Sequence, residues 1–177
     1  MRPLTLLATA ASLVLLRPAI AAEPTPTTID AISAESVSTD SETTTTFHDQ
    51  VVAAGNDLTL SCDFLKVIAT RIGDKSATLG KYGKFRYLLA TGHVRIVQGD
   101  RVATCGRAEV FPGEDRIVLT ENPVVKIEAE HYEARGPRMV LYRGQRRAVI
   151  EGSPQDRTHI SLPAIKDLGF PSETPAK

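Results

Sequence analysis

The amino-acid sequence predicts an all-β fold. In several short segments apolar and polar residues alternate, and Gly, Asn, Asp or Pro bounds each segment. A period of two places alternate side chains on one face of a strand, and such residues form the turns between strands. Two short sequence elements also recur along the chain, which indicates a stack of similar units. No convincing amphipathic helix follows the first 22 residues.

The predicted strands follow from the alternation. The segment DLTLSCDF, which begins at Asp57, is expected to place Leu58, Leu60, Cys62 and Phe64 on one face. Further strands are predicted around Val94 and Ile96, around Ile117 and Leu119 before the turn Glu121-Asn122-Pro123, and around Met139 and Leu141. Residues 74–84 lack a clear pattern, and we predict a long hairpin loop there.

The two recurring elements alternate along the chain. The first is LATGHV from Leu89, VLTENP from Val118 and VIEGSP from Val149, and its copies begin about 30 residues apart. The second is CDFLKV from Cys62, CGRAEV from Cys105 and, more loosely, RGPRMV from Arg135. Its first interval is longer than its second, and the extra length falls in the predicted loop. One such unit cannot bury its apolar face alone. The recurrence therefore predicts that the units stack into one continuous core.

The beginning of the chain has the pattern of an export signal. Arg2 precedes an apolar run between Leu4 and Leu16, and the sequence AIAA from Ala19 resembles a cleavage site. The run is shorter than the ~20 residues that cross a bilayer as a helix. We therefore predict a cleaved signal peptide over residues 1–22 and a secreted or periplasmic protein, with a retained signal anchor as the alternative.

The rest of the chain divides into three predicted segments. Residues 23–46 are rich in Thr, Ser and acidic residues and are expected to form a disordered linker. Residues 47–162 are expected to form the β domain. Residues 163–177 contain three prolines and are expected to form a flexible tail.

Composition argues against several classes of function. The chain has 21 basic and 21 acidic residues, and this balance gives no electrostatic basis for binding nucleic acid. Its four histidines lie far apart, without the spacing of zinc ligands. The sequence also lacks a nucleophile elbow, a phosphate-binding loop and a dinucleotide-binding fingerprint. We therefore expect no enzyme, no metal site and no cofactor.

Cys62 and Cys105 occupy the same position in two copies of the second element. Paired strands lie about 4.8 Å apart, and a disulfide requires Cα atoms roughly 4.4 to 6.8 Å apart. In an oxidising compartment we predict a disulfide between them if their strands are direct neighbours. A strand between them would make the distance too long, and two buried free thiols are the alternative.

Four runs follow one another along the chain: DLTLSCD from Asp57, ATGHVRIVQGDRVAT from Ala90, GRAEV from Gly106 and IVLTENPVV from Ile117. In this order they resemble OstA-like domains of LptA-type lipopolysaccharide transport proteins. The resemblance covers most of residues 51–152. The chain departs from the family pattern in its cysteine pair and in Glu121, which stands where the turn often carries Gly. The long linker predicted before the domain is a further departure.

The resemblance implies a twisted β-jelly roll of stacked antiparallel strands, the β-taco, open along one side. It also implies an apolar groove for the lipid A acyl chains of lipopolysaccharide, and partners that are OstA-like components of the inner and outer membranes, with end-to-end homo-oligomers. We expect the groove to be lined by Leu58, Leu60, Phe64, Leu65, Val67, Val94, Ile96, Ala108, Val110, Ile117, Leu119, Val125, Ile127, Met139 and Leu141. The alternative for these residues is an ordinary closed core.

Two basic clusters stand near the predicted turns. Lys75, Lys81, Lys84 and Arg86 form one, and Arg143, Arg146 and Arg147 form the other. They are candidates for contact with lipid phosphates, although basic loops are usually just solvated.

Two other functions remain open on the sequence. The chain is a candidate for a structural scaffold that binds proteins through its sheet edges, with residues 57–64 and 147–152 as the expected edge strands. It is also a candidate for a membrane-anchored OstA-like partner subunit.

Overall fold

The strands of the protein are linked by antiparallel pairing into one strongly curved sheet. The structure is a computed structural model, and it describes residues 26–55 and 58–163. The strands in these residues are β1 (Thr28–Asp30), β2 (Ser33–Ser38), β3 (Glu42–Gly55), β4 (Leu58–Ile72), β5 (Lys81–Gln98), β6 (Arg101–Phe111), β7 (Arg116–Thr120), β8 (Val124–Ile127), β9 (Tyr132–Arg135), β10 (Arg138–Tyr142), β11 (Arg147–Glu151) and β12 (His159–Ser161). Short 3-10 turns, Pro112–Glu114 and Glu128–Glu130, follow β6 and β8. The described residues contain no helix with the length and hydrophobicity of a transmembrane span. The all-β prediction is confirmed.

The sheet consists of two halves that share their four long strands. The upper half-sheet has the order β2-β3-β4-β5-β6-β7-β10-β11, and the lower half-sheet has the order β1-β3-β4-β5-β6-β8-β9-β12. Buried residues of both halves form one hydrophobic cluster. One face of a sheet becomes buried only when something covers it, so the two halves fold over and cover each other.

A line of backbone irregularities separates the halves, and we call this line the crease. The pairing register shifts between His48 and Val51, between Ser61 and Phe64, and between Thr91 and Val94. Left-handed backbone angles occur on alternate strands along this line, at Asp49, Gln50, Gly92, His93, Glu121 and Asn122. Bulges of this kind bend a strand and increase its twist, and here they bend successive strands at the same level.

The crease explains the recurring sequence elements. The first element crosses it in β5, between β7 and β8, and after β11, while the second crosses it in β4, in β6 and between β9 and β10. One repeat is therefore an antiparallel pair of strands. Small residues are needed where neighbouring strands approach each other closely at the crease. A Cβ at Gly92 would overlap the Asp63 side chain, and the φ of Gly92, +75°, is left-handed.

The predicted linker over residues 23–46 is wrong where the structure describes it. β1, β2 and the first part of β3 lie in this range. Thr43 and Thr45 are buried, with 1% and 5% exposure, and their hydroxyls bond Ser38 at 3.0 Å and Ser36 at 3.1 Å. Thr is β-branched and favours strands, and these hydrogen bonds satisfy its polar group in the interior. The β domain therefore begins by Thr28.

Other predicted boundaries have mixed outcomes. The loop after β4 spans only residues 73–80, because β5 already begins at Lys81. The predicted signal peptide, residues 1–22, lies outside the described residues, as does the predicted tail beyond Pro163.

Candidate functional site

The interior between the half-sheets carries two continuous rows of apolar residues. Each row runs across the strands from one edge of its half-sheet toward the other, through directly paired positions. The upper row is Phe47, Leu65, Ala90, Ala108, Leu119, Met139 and Ile150. The lower row is Ile29, Ala53, Leu60, Ile96, Ala103, Val125, Ala134 and Ile160. With strands about 4.8 Å apart, seven steps make the lower row roughly 34 Å long.

On β5, β7 and β10, burial decreases from the crease toward the far side of the upper half-sheet. Residues in the middle of the upper row are closed off: Leu65, Leu119 and Met139 are 0–1% exposed. One step farther from the crease, Leu88, Ile117 and Leu141 still pack against the cluster but are only partly buried. These strands are thus tightly packed at the crease and less covered at the opposite side, which we call the mouth. On β3 and β4 the inward residues Thr43, Val67 and Ala69 stay buried there.

The lower row reaches both outer edges, and the upper row reaches the edge at β11. Ile29 lies on β1 at one edge, while Ile150 on β11 and Ile160 on β12 lie at the other, where Ile160 is 49% exposed. Within the described residues, no further strand with polar side chains covers these ends. In this part of the chain the ends of the interior are therefore available for contact with another apolar surface.

Most of the predicted interior residues are placed as expected. Leu58, Leu60, Leu65, Val67, Val94, Ile96, Ala108, Ile117, Leu119, Val125, Met139 and Leu141 all belong to the cluster or pack against it. By register, Val110 faces inward between Leu88 and Ile117, and Ile127 pairs with the inward Tyr132. Binding of lipid by these residues stays a prediction.

Phe64 is the exception. The register shift between Ser61 and Phe64 exchanges the faces of β4, so Leu65 rather than Phe64 continues inward from Leu60 and Cys62. Phe64 instead packs edge-on against His48, with ring centroids 5.0 Å apart. The prediction assumed that apolar and polar positions alternate without interruption along β4, and the bulge therefore put Phe64 on the wrong face.

The predicted interior set omits several residues of the predicted β domain that the structure places in the interior. Phe47, Val51 and Ala53 on β3 and Ala134 on β9 belong to the interior. The alternation of Val51 and Ala53 was a usable signal for a strand. It was missed because the predicted linker ended at residue 46, close to the start of this alternation.

The predicted disulfide is wrong. Cys62 and Cys105 are both free and buried. Cys62 lies on β4 and Cys105 lies on β6, where it pairs with Val94 of the intervening β5. Two strand spacings, roughly 9.6 Å, exceed the reach of a disulfide. Burial raises the pKa of each thiol from 9.0 to about 11, which keeps both protonated near neutral pH.

The predicted edge at residues 57–64 is also wrong. β4 is a central strand, paired on both sides with β3 and β5. β1 and β2 form this edge, because the segment expected to be a linker contributes strands. The other predicted edge is correct, since β11 ends the upper half-sheet.

A polar hollow of about 480 Å³ lies at β8, β9 and β12. The Glu133 carboxylate there binds Lys126 at 3.1 Å and also Arg135, and these contacts hold its pKa below the usual range. These three side chains therefore form one ion-pair cluster. The described residues contain no group of three or more His, Cys, Asp and Glu that could hold a metal ion.

Comparison with solved structures identifies the fold. The protein is similar to the crystal structure of LptH, described as the LptA homologous periplasmic component of the conserved lipopolysaccharide transport device from Pseudomonas aeruginosa. The TM-score is 0.60 at 15% identity, and the match covers 78% of this chain and 96% of that one. At this identity the likeness shows the fold, a twisted β-jelly roll.

The family follows from the sequence. A family model described as LptA/(LptD N-terminal domain) LPS transport protein matches residues 29–147. The chain therefore belongs to this family of lipopolysaccharide transport proteins. A search of curated proteins finds no match. The family match begins at Ile29, in agreement with strands that start before residue 47.

Proposed function

We propose that the protein is a periplasmic, non-enzymatic carrier of lipopolysaccharide, which holds lipid A acyl chains between its half-sheets as part of a bridge between the inner and outer membranes. The observation that carries this proposal is the pair of apolar rows that run across the strands to the outer edges of the sheet. A core that serves only folding has no need to extend to an exposed edge strand. Membership of the transport family supports the same function.

Burial of hydrocarbon supplies enough affinity for this role. Each buried CH₂ group contributes about 0.8 kcal/mol, so several acyl chains bind strongly without specific hydrogen bonds. The partly exposed residues near the mouth, Leu88, Ile117 and Leu141, are placed to meet such chains first. The closed packing at the crease implies that the half-sheets separate further when lipid enters.

Photo-crosslinking in cells tests the groove. A crosslinking residue at Ile96, in the lower row, should capture lipopolysaccharide, whereas one at the adjacent Arg95 should not. Ile96 faces the interior across from Leu60 and Ala103, and Arg95 points outward and is exposed. A second matched pair is Leu60, which belongs to the buried cluster, and its exposed neighbour Thr59. Equal labelling within both pairs would exclude an interior groove.

The edges support a role in a longer assembly. Among residues 26–55 and 58–163, β1 and β2 at one edge, and β11 and β12 at the other, each pair with a neighbour on one side only. Unpaired strand edges recruit other strands. Stacking of a similar fold on either edge, from a second copy or from an OstA-like membrane component, would continue both apolar rows.

Two alternatives make different predictions. A scaffold that acts only through its edges would bind partners but retain no amphiphile after purification. A membrane-anchored partner subunit would keep residues 1–22, so the intact mass of the exported protein separates it from a cleaved periplasmic protein.

A further inference from the structure

The hairpin of β4 and β5 extends past its neighbours at the mouth of the upper half-sheet. β3 begins at Glu42, opposite Thr70, and the last β6 partner of β5 is Val110, opposite Leu88. β4 and β5 nevertheless stay paired as far as Ile72 and Lys81. We call residues 71–86 the hairpin tip. Most of it lacks a neighbouring strand.

The hairpin tip exposes large apolar side chains. Leu79 is 77% exposed, and Ile72, Tyr82 and Phe85 are 45–51% exposed. The chain has only nine Phe and Tyr residues and no Trp, so two exposed aromatic rings on one hairpin are a marked concentration. Clustered apolar exposure marks a surface that meets a partner or a membrane.

The same segment is strongly basic in a chain with no net charge. It contains Arg71, Lys75, Lys81, Lys84 and Arg86 against a single acid, Asp74. Arg86 pairs with Glu42, whereas within the described residues no ion pair holds the three lysines. All three are exposed. Exposed lysines beside exposed apolar side chains match a partner that has negative charge at its surface and an apolar layer beneath that surface.

The tip has a fixed shape. The Arg71 guanidinium donates hydrogen bonds to the carbonyls of Asp74 at 3.1 Å and Lys75 at 3.0 Å, and also to that of Ala77. The Asp74 carboxylate accepts from the Ser76 amide at 2.8 Å. The Tyr82 hydroxyl lies 2.7 Å from the hydroxyl of the buried Thr45. These bonds fix the tip on both sides of Leu79, so less conformational freedom is lost on binding.

We propose that the hairpin tip docks on an anionic phospholipid bilayer surface, with its lysines at the headgroup phosphates and Leu79 and Phe85 in the interfacial region. A bilayer supplies both the negative charge and the apolar layer that this surface matches. Docking in this way places the mouth beside the membrane. The proposal does not depend on lipid carriage in the interior.

Vesicle binding by the mature protein tests this directly, with vesicles free of lipopolysaccharide. We expect binding to phosphatidylethanolamine vesicles that contain one-third phosphatidylglycerol, little binding to phosphatidylcholine vesicles, and release by salt. K81Q/K84Q should weaken binding about 25-fold, or about fivefold for each charge. L79S should weaken it about tenfold.

Matched variants control for net charge and exposure. R95Q/R101Q also removes two exposed cations, but from the lower half-sheet, and it should change binding less than about twofold because charges more than ~10 Å from the surface are screened. Since the chain has no Trp, L79W adds a single reporter, whose fluorescence should shift to shorter wavelength with anionic vesicles. V37W, on the exposed β2 edge, should not shift.

Three outcomes would overturn the proposal. One is equal binding to both vesicle types, and another is equal loss in K81Q/K84Q and R95Q/R101Q. The third is crosslinking of a residue at position 79 to a protein rather than to phospholipid in cells. Because these vesicles lack lipopolysaccharide, failure here leaves the groove experiment unaffected, and failure of the groove experiment leaves this one unaffected.

Discussion

Gly106 and Glu121 meet at the crease, where β6 passes the bend between β7 and β8. The Gly106 amide donates a hydrogen bond of 2.9 Å to the Glu121 carbonyl. Glu121 has a left-handed φ of 62°. A Cβ added at Gly106 would lie 2.6 Å from the Glu121 Cβ and would overlap its carboxylate. The side chain of Glu121 therefore occupies the space that a glycine leaves open.

Substitution of Gly106 by Ala has two opposing effects. Removal of a glycine from a strand normally stabilises by about 0.5–1 kcal/mol. Overpacking against a well-packed neighbour costs about 1–3 kcal/mol. The overlap involves the Cβ of Glu121, which cannot move without its backbone, so we expect the cost to dominate and G106A to lower the free energy of unfolding by about 1–2 kcal/mol.

The effect should depend on Glu121. In an E121G background the overlapping atoms are absent, and G106A should become neutral or stabilising by up to about 1 kcal/mol. E121G alone should change stability by less than about 1 kcal/mol, since relief of the left-handed strain is offset by the flexibility of the added glycine. The double-mutant cycle thus predicts a coupling energy of about 2 kcal/mol.

Urea denaturation of the four proteins measures this coupling. Gly113→Ala is a matched control, because a Cβ at Gly113 meets nothing within 4 Å, and it should stay within about 0.5 kcal/mol of the parent. If G106A destabilised equally with Glu and with Gly at position 121, the close approach of β6 to this bend would be refuted.

Three further predictions concern the cysteines and the edges. Both Cys62 and Cys105 should react with an alkylating reagent in protein that is denatured but not reduced. An intact mass in which neither cysteine is alkylated would instead show that the two form a disulfide. Burial raises the pKa of both thiols to about 11, so the two protonated thiols should stabilise the folded state below pH 9. This contribution should be lost as the pH rises toward 11. Urea denaturation midpoints that rise over this pH interval would contradict this prediction. The mass by light scattering should grow with concentration, and Val37→Lys on β2 or Ala148→Lys on β11 should oppose the growth; a strict monomer at high concentration would contradict edge association.

The fold was predictable because its signals are local and repeated. Alternation around Ile117, Leu119, Met139 and Leu141 reflects strands with one buried face, and the recurring elements mark the crease on successive strands. The spacing of the elements also carried information about topology. Each repeat contains two strands, so equivalent positions in successive repeats lie two strands apart, which is why Cys62 and Cys105 do not meet.

What the sequence concealed depends on tertiary context. Thr43 and Thr45 were assigned to a linker because hydroxyl residues are common in disordered segments. Their burial depends on hydrogen bonds to Ser38 and Ser36 of another strand, β2, which the local sequence does not show. Phe64 depends on a bulge whose position only the pairing reveals. The basic segment from Lys75 to Arg86 gave no sign of projecting from the sheet, since that depends on where β3 and β6 stop.

The central claim is that lipid occupies the interior between the two half-sheets. Native mass spectrometry of protein from cells that make lipopolysaccharide tests it most directly, with I96E, which puts a charge in the lower apolar row, compared with R95E on the outer face. We predict that the parent protein and R95E carry bound lipopolysaccharide, and that I96E remains folded but carries none. Lipid on I96E and the parent alike, or on none of the three proteins, would contradict the account.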